Sequence, residues 1–288
     1  MIDDDCVRFL QWALPRLRMR WAGFRKVRAQ VCKRIARRLR DLGLPDAGAY
    51  RALLESRPGE WAALDALCRV TISRFYRDRD LFDRLRDEVL PELARRARAR
   101  GSRAVRCWSA GCASGEEAYT LALIGRLAPR SARPRAPLVI LATDVDQRML
   151  ERARAASYSA ASLRDLPAGW RVRGFVPRGA GLMVRPEIAR AVELRRHDVR
   201  GSCPQGRFDL ILCRNLVFTY YEEALQREIA GRLAGGRHPG GALVLGERER
   251  LPRGVTGLAP WPSCPAIHRR AAEGRGADPG PPEEDAEP

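Results

Sequence analysis

The chain has 288 residues, 45% of them hydrophobic, and a formal net charge of +18. That apolar content supports a packed core and excludes a globally disordered protein; the length suits one large domain, or a small domain joined to a larger one. The longest apolar runs, such as 138–142 and 242–245, are strand-sized and far short of the roughly 20 residues of a membrane helix, so no membrane insertion is expected.

At the start of the chain Asp3, Asp4 and Asp5 stand where a secretory signal would carry Lys or Arg, so a cytoplasmic location is expected. From Arg16 to Arg40 there are eleven basic residues and no acidic one. Such a block attracts an anionic partner, nucleic acid or an acidic protein surface, unless it is only a solvated helix face. Its only aromatic residues are Trp21 and Phe24, so no stacking platform is evident and nucleic acid is the weaker choice. Val31, Ile35, Leu39 and Leu42 recur at helical spacing, and Gly43 follows as a stop. Further helices are predicted over about 47–54 and 60–70, separated by Pro58 and Gly59. Residues 1–70 therefore read as a small, basic, all-helical domain.

From 71 to 271 strands alternate with helices. Val105–Ser109 is a predicted strand, followed by a glycine turn and a helix over 116–127. Leu138–Thr143 precedes a helix over 147–156, and Phe208–Cys213 precedes one over 222–233. Gly240 and Gly241 then lead into a strand over 242–245. Strands apolar throughout, rather than alternating, belong in a parallel sheet covered on both faces. The expected fold is thus α/β and Rossmann-like, with its ligand at the carboxyl ends of the strands. Residues 158–193, rich in Gly, Pro and Arg, interrupt the alternation and read as an inserted lobe. Residues 272–288 are rich in Pro, Gly and acids and are expected to be disordered.

The eight cysteines form no CxxC pair, and the three histidines (197, 238 and 268) are scattered. The expectation is a reduced, metal-free protein.

The turn after the first strand reads Ser109-Ala110-Gly111-Cys112-Ala113-Ser114-Gly115-Glu116-Glu117. Glycines four apart let the backbone pass close to a ligand. Acids just after them disfavour a pyrophosphate, which wants bare amides, and suit an adenosine ligand carrying a cationic amino acid. The plainer alternative is that Glu116 and Glu117 complement the helix dipole. At the tip of the second strand Asp144 is placed to take ribose hydroxyls, while Asp146 suits a helix cap. Arg214 and Asn215, at the end of a central strand, offer fixed donors and an acceptor over the site; structuring the loop is their alternative role.

The runs TISRFYRD (71–78), CWSAGCASGEEAYTLAL (107–123), ATDVD (142–146), FDLILCRNLVF (208–218) and GGALVLGERERL (240–251) together resemble the CheR family, which esterifies glutamate side chains on chemotaxis receptors. KRIARRLRDLGLPDAGAYRALLE (33–55) resembles that family's helical domain. The resemblance spans about 25–270 and implies a class I methyltransferase sheet, S-adenosyl-L-methionine as cofactor and S-adenosyl-L-homocysteine as product. It implies Thr71, Ser73 and Arg77 at the cofactor, with Arg77 near the methyl-transfer centre. Ala110, Gly111 and Gly115 would form the cofactor turn, and Glu117 would take the methionine end. Asp144 would hold the ribose, Asp198 and Val199 would flank the adenine, and Arg214 and Asn215 would close the pocket. The family's tyrosine after Arg-Asn is shifted by one here, to Tyr220, which with Arg77 is the catalytic candidate. The family's His or Ser near the last strand is replaced within Gly246-Glu247-Arg248-Glu249. These departures face the substrate, so another protein or a small acidic acceptor stays open beside a chemoreceptor-like partner, as does a non-catalytic sensor. The basic helical domain is expected to dock that partner and to stand apart from the cofactor site.

Overall fold

The structure, a computed structural model, describes residues 3–270. The segment 272–288, expected to be disordered, lies outside the described residues. Residues 3–68 carry the helices Asp3–Ala13, Trp21–Phe24, Arg28–Asp41, Ala47–Ser56 and Glu60–Cys68. The Arg28–Asp41 helix buries Val31, Ile35 and Leu39 on one face. It stops where the spacing predicts: Gly43 adopts φ +67°, its amide donates to Arg40 O, and Leu44 N donates to Leu39 O. This paired closure satisfies carbonyls the helix leaves without partners, and it needs a residue tolerant of left-handed backbone. Asp46 then caps the next helix by accepting from Ala49 N at 2.8 Å.

The expectation of reduced cysteines is corrected here. Cys6 and Cys32 form a disulfide with Cα atoms 5.9 Å apart. The Asp3–Ala13 and Arg28–Asp41 helices pack against each other and bring the two residues together. A separation of 26 residues carries no short-range signal, so the pairing is invisible to a search for CxxC. Cys68, Cys107, Cys112, Cys203, Cys213 and Cys264 are thiols.

The strands are β1 (Val105–Ala110), β2 (Leu138–Asp144), β3 (Ser157–Tyr158), β4 (Phe175–Arg178), β5 (Gly181–Val184), β6 (Val192–Arg196), β7 (Phe208–Leu212), β8 (Arg237–Val244), β9 (Leu258–Trp261) and β10 (Cys264–Arg270). Seven make one sheet in the order β6-β2-β1-β7-β8-β10-β9. The first five run parallel, and β10 is antiparallel to both its neighbours. The strand order reverses between β1 and β7, which is where a doubly wound sheet opens a crevice at its carboxyl edge. This is the α/β, Rossmann-like arrangement expected, with a parallel core and an antiparallel strand near one edge.

Three details depart from the predicted elements. Gly240 and Gly241 do not precede β8 but lie inside it. Between the Phe208–Arg237 and Leu210–Ala242 pairs β8 spends five residues against two of β7. Gly240 takes φ +71°, and a Cβ on Gly241 would meet His238 O at 2.9 Å and Asp209 O at 3.0 Å. The glycines permit a bulge. Second, β9 and β10 close the sheet beyond the last predicted strand. Third, the 158–193 interruption contains a small antiparallel sheet of its own, β3-β5-β4, anchored by Phe175 and Tyr158 packing edge-on to Phe75.

The helical region is not packed as a separate core. Its buried residues, from Cys6 to Cys68, join Trp108, Ile211 and Leu243 of the sheet in one apolar cluster. Polar ties reinforce the contact: Arg18 pairs with Glu222 and Glu228, and Arg20 N donates to Tyr220 O at 2.9 Å.

Candidate active site

At the strand-order reversal the turn after β1 is held by the end of β2. Gly111 N and Cys112 N donate to Thr143 O at 2.8 and 2.9 Å. Asp144 accepts from Ala113 N on one carboxylate oxygen and from Asp146 N on the other, both at 2.9 Å. Burial is the main cause that raises the Asp144 pKa, against those two amides. Each oxygen keeps a second lone pair for a ligand, and Asp144 lines the cleft with Gly111 and Ala113. Asp146 caps the Gln147–Ala155 helix through Arg148 N and Met149 N.

The two glycines part company. Gly111 borders the cleft, and a Cβ there would lie 2.4 Å from Leu216 Cδ2. Gly115, at φ +92°, does not line it. A Cβ on Gly115 would meet Ala153 Cβ at 3.0 Å, Tyr119 Cε2 at 3.1 Å and Tyr158 OH at 3.2 Å. Ala110 is also buried in the core cluster with Trp108 and lies outside the lining. The expectation that both glycines let the backbone pass close to a ligand is thus corrected for Gly115, where an added Cβ would meet protein. Gly115→Val is expected to lower stability by roughly 2–5 kcal/mol through overpacking and left-handed strain, measured by urea unfolding. Wild-type stability with lost ligand binding would refute the packing account.

A buried ion cluster forms the far wall. Arg214 donates to Glu117 at 2.9 Å, to Asp78 at 2.6 Å and to Arg77 O at 3.1 Å, and its guanidinium sits 5.0 Å from the Phe82 ring. Ser109 Oγ donates to the other Glu117 oxygen at 2.6 Å. Glu116 turns inward to Ser114 Oγ, and burial raises its pKa. The two acids are therefore not equivalent dipole partners; Glu117 alone lines the cleft.

Thr71, Ser73 and Arg77 lie on the irregular segment between the helical region and the sheet, and all three line the cleft. Tyr76 and Asp78, flanking Arg77, both take left-handed backbone, φ +54° and +65°. Such residues persist only where their surroundings over-determine them. Here Thr120 Oγ1 accepts from Tyr76 N, Asp83 accepts from Tyr76 OH, and Arg214 grips Asp78. Arg77 is thereby aimed, with Nη1 donating to Ile72 O at 3.0 Å.

Tyr220 shares the lining and packs its ring 5.1 Å from that of Phe24. Burial raises the Tyr220 phenol pKa, partly offset by the Arg77 charge. Asp198, Val199 and Asn215 complete the candidates placed in this cleft. For the Asp198 carboxyl, burial pushes upward, but hydrogen bonds from Arg200 outweigh it and hold the pKa low. Arg200 also reaches Asp65 at 2.7 Å, tying the Glu60–Cys68 helix to the end of β6.

Residues without a sequence signal also face the cleft, above all Met19, Phe24, Asp65, Cys68, Arg69 and Val70. The helical region is therefore part of the site, and the expectation that it stands apart is corrected. Arg34 donates to the carbonyls of Leu67 and Arg69, and Arg38 pairs with Glu60. These arginines support the wall instead of facing a partner. Among the described residues no group of three or more His, Cys, Asp or Glu is placed to hold a metal, and no helix is long and apolar enough to cross a membrane.

Residues 71–262 match the family model described as CheR methyltransferase, SAM binding domain. A chemotaxis protein methyltransferase of Escherichia coli (strain K12) is 35% identical over 78% of this chain and 77% of its own length. A probable chemotaxis protein methyltransferase of Rhizobium etli is 35% identical over 77% of this chain and 84% of its own. An uncharacterized 104.1 kDa protein of Rhodobacter capsulatus is 37% identical over 77% of this chain, which spans only 23% of that longer protein. Among solved structures, the glycopeptide N-methyltransferase MtfA complexed with S-adenosyl-L-methionine aligns over 55% of this chain and 54% of its own, at 14% identity and a TM-score of 0.32.

Proposed function

The chain belongs to the CheR methyltransferase family and is an S-adenosylmethionine-dependent methyltransferase, and from that premise we propose that it esterifies glutamate carboxylates on a helical, chemoreceptor-like signalling protein in the cytoplasm. The observation that carries this reading is that Arg77 and Tyr220 line the same cleft as Asp144 and Glu117. Cofactor holders and carboxylate-orienting donors thus share one space. The residues fit the cofactor chemically: Asp144 retains acceptor capacity for ribose hydroxyls, Val199 is an apolar neighbour for a base, and Glu117 supplies negative charge for an amino group. Thr71 and Ser73 add hydroxyls, and Arg214 and Asn215 close the wall. Gly111 brings the turn close, while Ala110 and Gly115 shape it from behind.

S-adenosylmethionine supplies an electrophilic sulfonium methyl. A glutamate carboxylate, with an unperturbed pKa of about 4.3, is ionised at neutral pH and needs no general base. Its oxygen forms the new bond to carbon as the carbon–sulfur bond breaks, giving a neutral ester and a neutral thioether, and no proton moves. The protein's task is alignment and desolvation, effects able to supply roughly 7–11 kcal/mol. Arg77 keeps guanidinium donors beyond the one given to Ile72. Tyr220, with its raised phenol pKa, stays protonated and can donate to the same carboxylate. A different acidic acceptor is favoured by one observation: Glu247 and Arg248, both exposed, replace the family's usual His or Ser. A cytoplasmic site would place the Cys6–Cys32 disulfide among the exceptions to reduced cytosolic thiols.

The deciding test uses methyl-labelled S-adenosylmethionine with cell lysate. Label released as methanol by mild base supports a carboxyl ester; stable label on protein overturns it.

Docking is assigned to the part of the basic block that remains in solvent. Lys33, Arg37 and Arg40 recur at i, i+4 and i+7 on the exposed face of the Arg28–Asp41 helix. Reversing these three to Glu is expected to slow protein methylation and reduce its salt sensitivity, with S-adenosylhomocysteine affinity unchanged, because rim charges act mainly on association rate. Normal rates at low salt would leave the face merely solvated. Reversing Arg34 or Arg38 is expected to disturb cofactor binding as well.

A further inference from the structure

The chain leaves β8 through Leu245-Gly246-Glu247-Arg248-Glu249-Arg250, where one acid behaves unlike its neighbours. Glu247, Arg248 and Arg250 are exposed, whereas Glu249 is only 4% exposed. One Glu249 oxygen accepts from Asn215 N and Gly246 N, both at 2.7 Å. The other accepts from Thr219 Oγ1 at 2.6 Å. Two of these three donors sit on the segment that carries Asn215 and Tyr220 into the cleft. The junction has no slack. Asn215 takes left-handed backbone at φ +54°, and a Cβ on Gly246 would lie 2.5 Å from Asn215 Nδ2 and 2.8 Å from Glu249 Oε2.

We infer that Glu249 is a positioning residue for methyl transfer, which pins the 215–220 segment to the end of β8 and so sets Tyr220 opposite Arg77. A buried carboxylate is costly unless its lone pairs are met by donors. Here they are met by two backbone amides and a hydroxyl, so the charge serves the loop's geometry. An apolar side chain could fill the volume but would leave both amides without an acceptor. Charge-assisted bonds are the shorter and stronger kind, which suits a clamp. Glutamine is the informative neighbour. Its carbonyl oxygen can take both amides while its NH2 donates to Thr219 Oγ1, so the clamp survives without the charge.

This inference rests on reading the cleft as the methyl-transfer site, and the experiment separates the two. The full chain and its Glu249→Ala and Glu249→Gln variants are compared by three readouts. These are S-adenosylhomocysteine titration, transfer of base-labile label to a purified chemoreceptor cytoplasmic fragment, and backbone hydrogen exchange. Glu249→Ala is expected to lower kcat about 100-fold, as a misplacement near 1 Å can, with a much smaller change in KM for S-adenosylmethionine. Exchange should accelerate across 213–221 but not in β1 or β2, and Glu249→Gln should restore most of the rate. Wild-type kcat in Glu249→Ala, or unchanged exchange across 213–221, would overturn the inference. So would equal loss of kcat and thermal stability in both variants, which marks a purely structural acid. A wild-type chain that binds S-adenosylhomocysteine yet esterifies nothing refutes the acceptor reading instead, and the exchange result still decides Glu249.

Discussion

Asp144→Ala is expected to weaken S-adenosylmethionine binding by roughly two to four orders of magnitude. Two ribose hydroxyls donating to a carboxylate contribute roughly 1.5–3 kcal/mol each, and each 1.4 kcal/mol is about tenfold. The variant loses more than those bonds, because the same carboxylate holds Ala113 N and Asp146 N and thereby the turn itself. Asp144→Asn keeps one acceptor oxygen and should fall between. The sign of the pH dependence follows from the raised pKa. Burial favours the protonated form of Asp144, whereas hydroxyl donors from a bound ribose favour the ionised form. Binding must then release a proton, and affinity should fall as pH drops through the raised value. Titration calorimetry in two buffers of different ionisation enthalpy measures both. Unchanged affinity in Asp144→Ala, or no proton release at acid pH in the wild type, would remove Asp144 from the ribose site.

How much of this was legible in the sequence depended on the range of the interactions. β1, β2 and β7 read correctly because strands covered on both faces are mostly apolar, interrupted only by single polar residues such as Arg106 and Asp209, and Phe208–Leu212 is buried at every position. The helix after the glycine turn read correctly because its acids follow a glycine that reverses the chain. Outer strands were missed for the opposite reason. Of β10 only Ala266 and Ile267 are buried, and its arginines read as loop. The cleft was legible where a strand-end motif supplied a cleft-lining residue, as at Gly111 after β1 and Asp144 at the tip of β2. It was illegible where tertiary packing supplied the wall: Met19, Phe24 and Asp65 reach it from a region whose visible signal is positive charge. Gly111 and Gly115 share one spacing, and only packing shows that one borders the cleft while the other backs onto Tyr119 and Tyr158. The arginine block divides the same way. Arg18, Arg34 and Arg38 are tied to other parts of the chain, Arg18 at the surface and the other two half-buried, and no local pattern distinguishes them from Arg37 or Arg40.

Arg214→Met is the substitution expected to cost most overall. The Arg214 side chain is 3% exposed and bridges Glu117, 13% exposed, to Asp78, 19% exposed. Methionine approximates its length and apolar contacts but leaves two carboxylates buried without a cation. Breaking a buried pair by removing one partner costs about 3–5 kcal/mol, or roughly 6–20 °C in Tm for a chain of this size. Activity should suffer beyond stability. Arg214 also holds Arg77 O and the left-handed Asp78, so its loss releases the backbone that aims Arg77. The triple variant Arg214→Met, Asp78→Asn, Glu117→Gln separates the two effects. Neutralising the orphaned acids should recover much of the melting temperature, since a polar pair is costly chiefly when half of it remains. It should not recover methyl transfer even at saturating S-adenosylmethionine, which offsets the cofactor affinity lost with Glu117→Gln, because the grip on residue 78 and on Arg77 O stays broken. Recovery of rate together with Tm would show that Arg214 only balances charge. A single variant that melts like the wild type would show that water reaches these partly exposed carboxylates well enough to replace the cation.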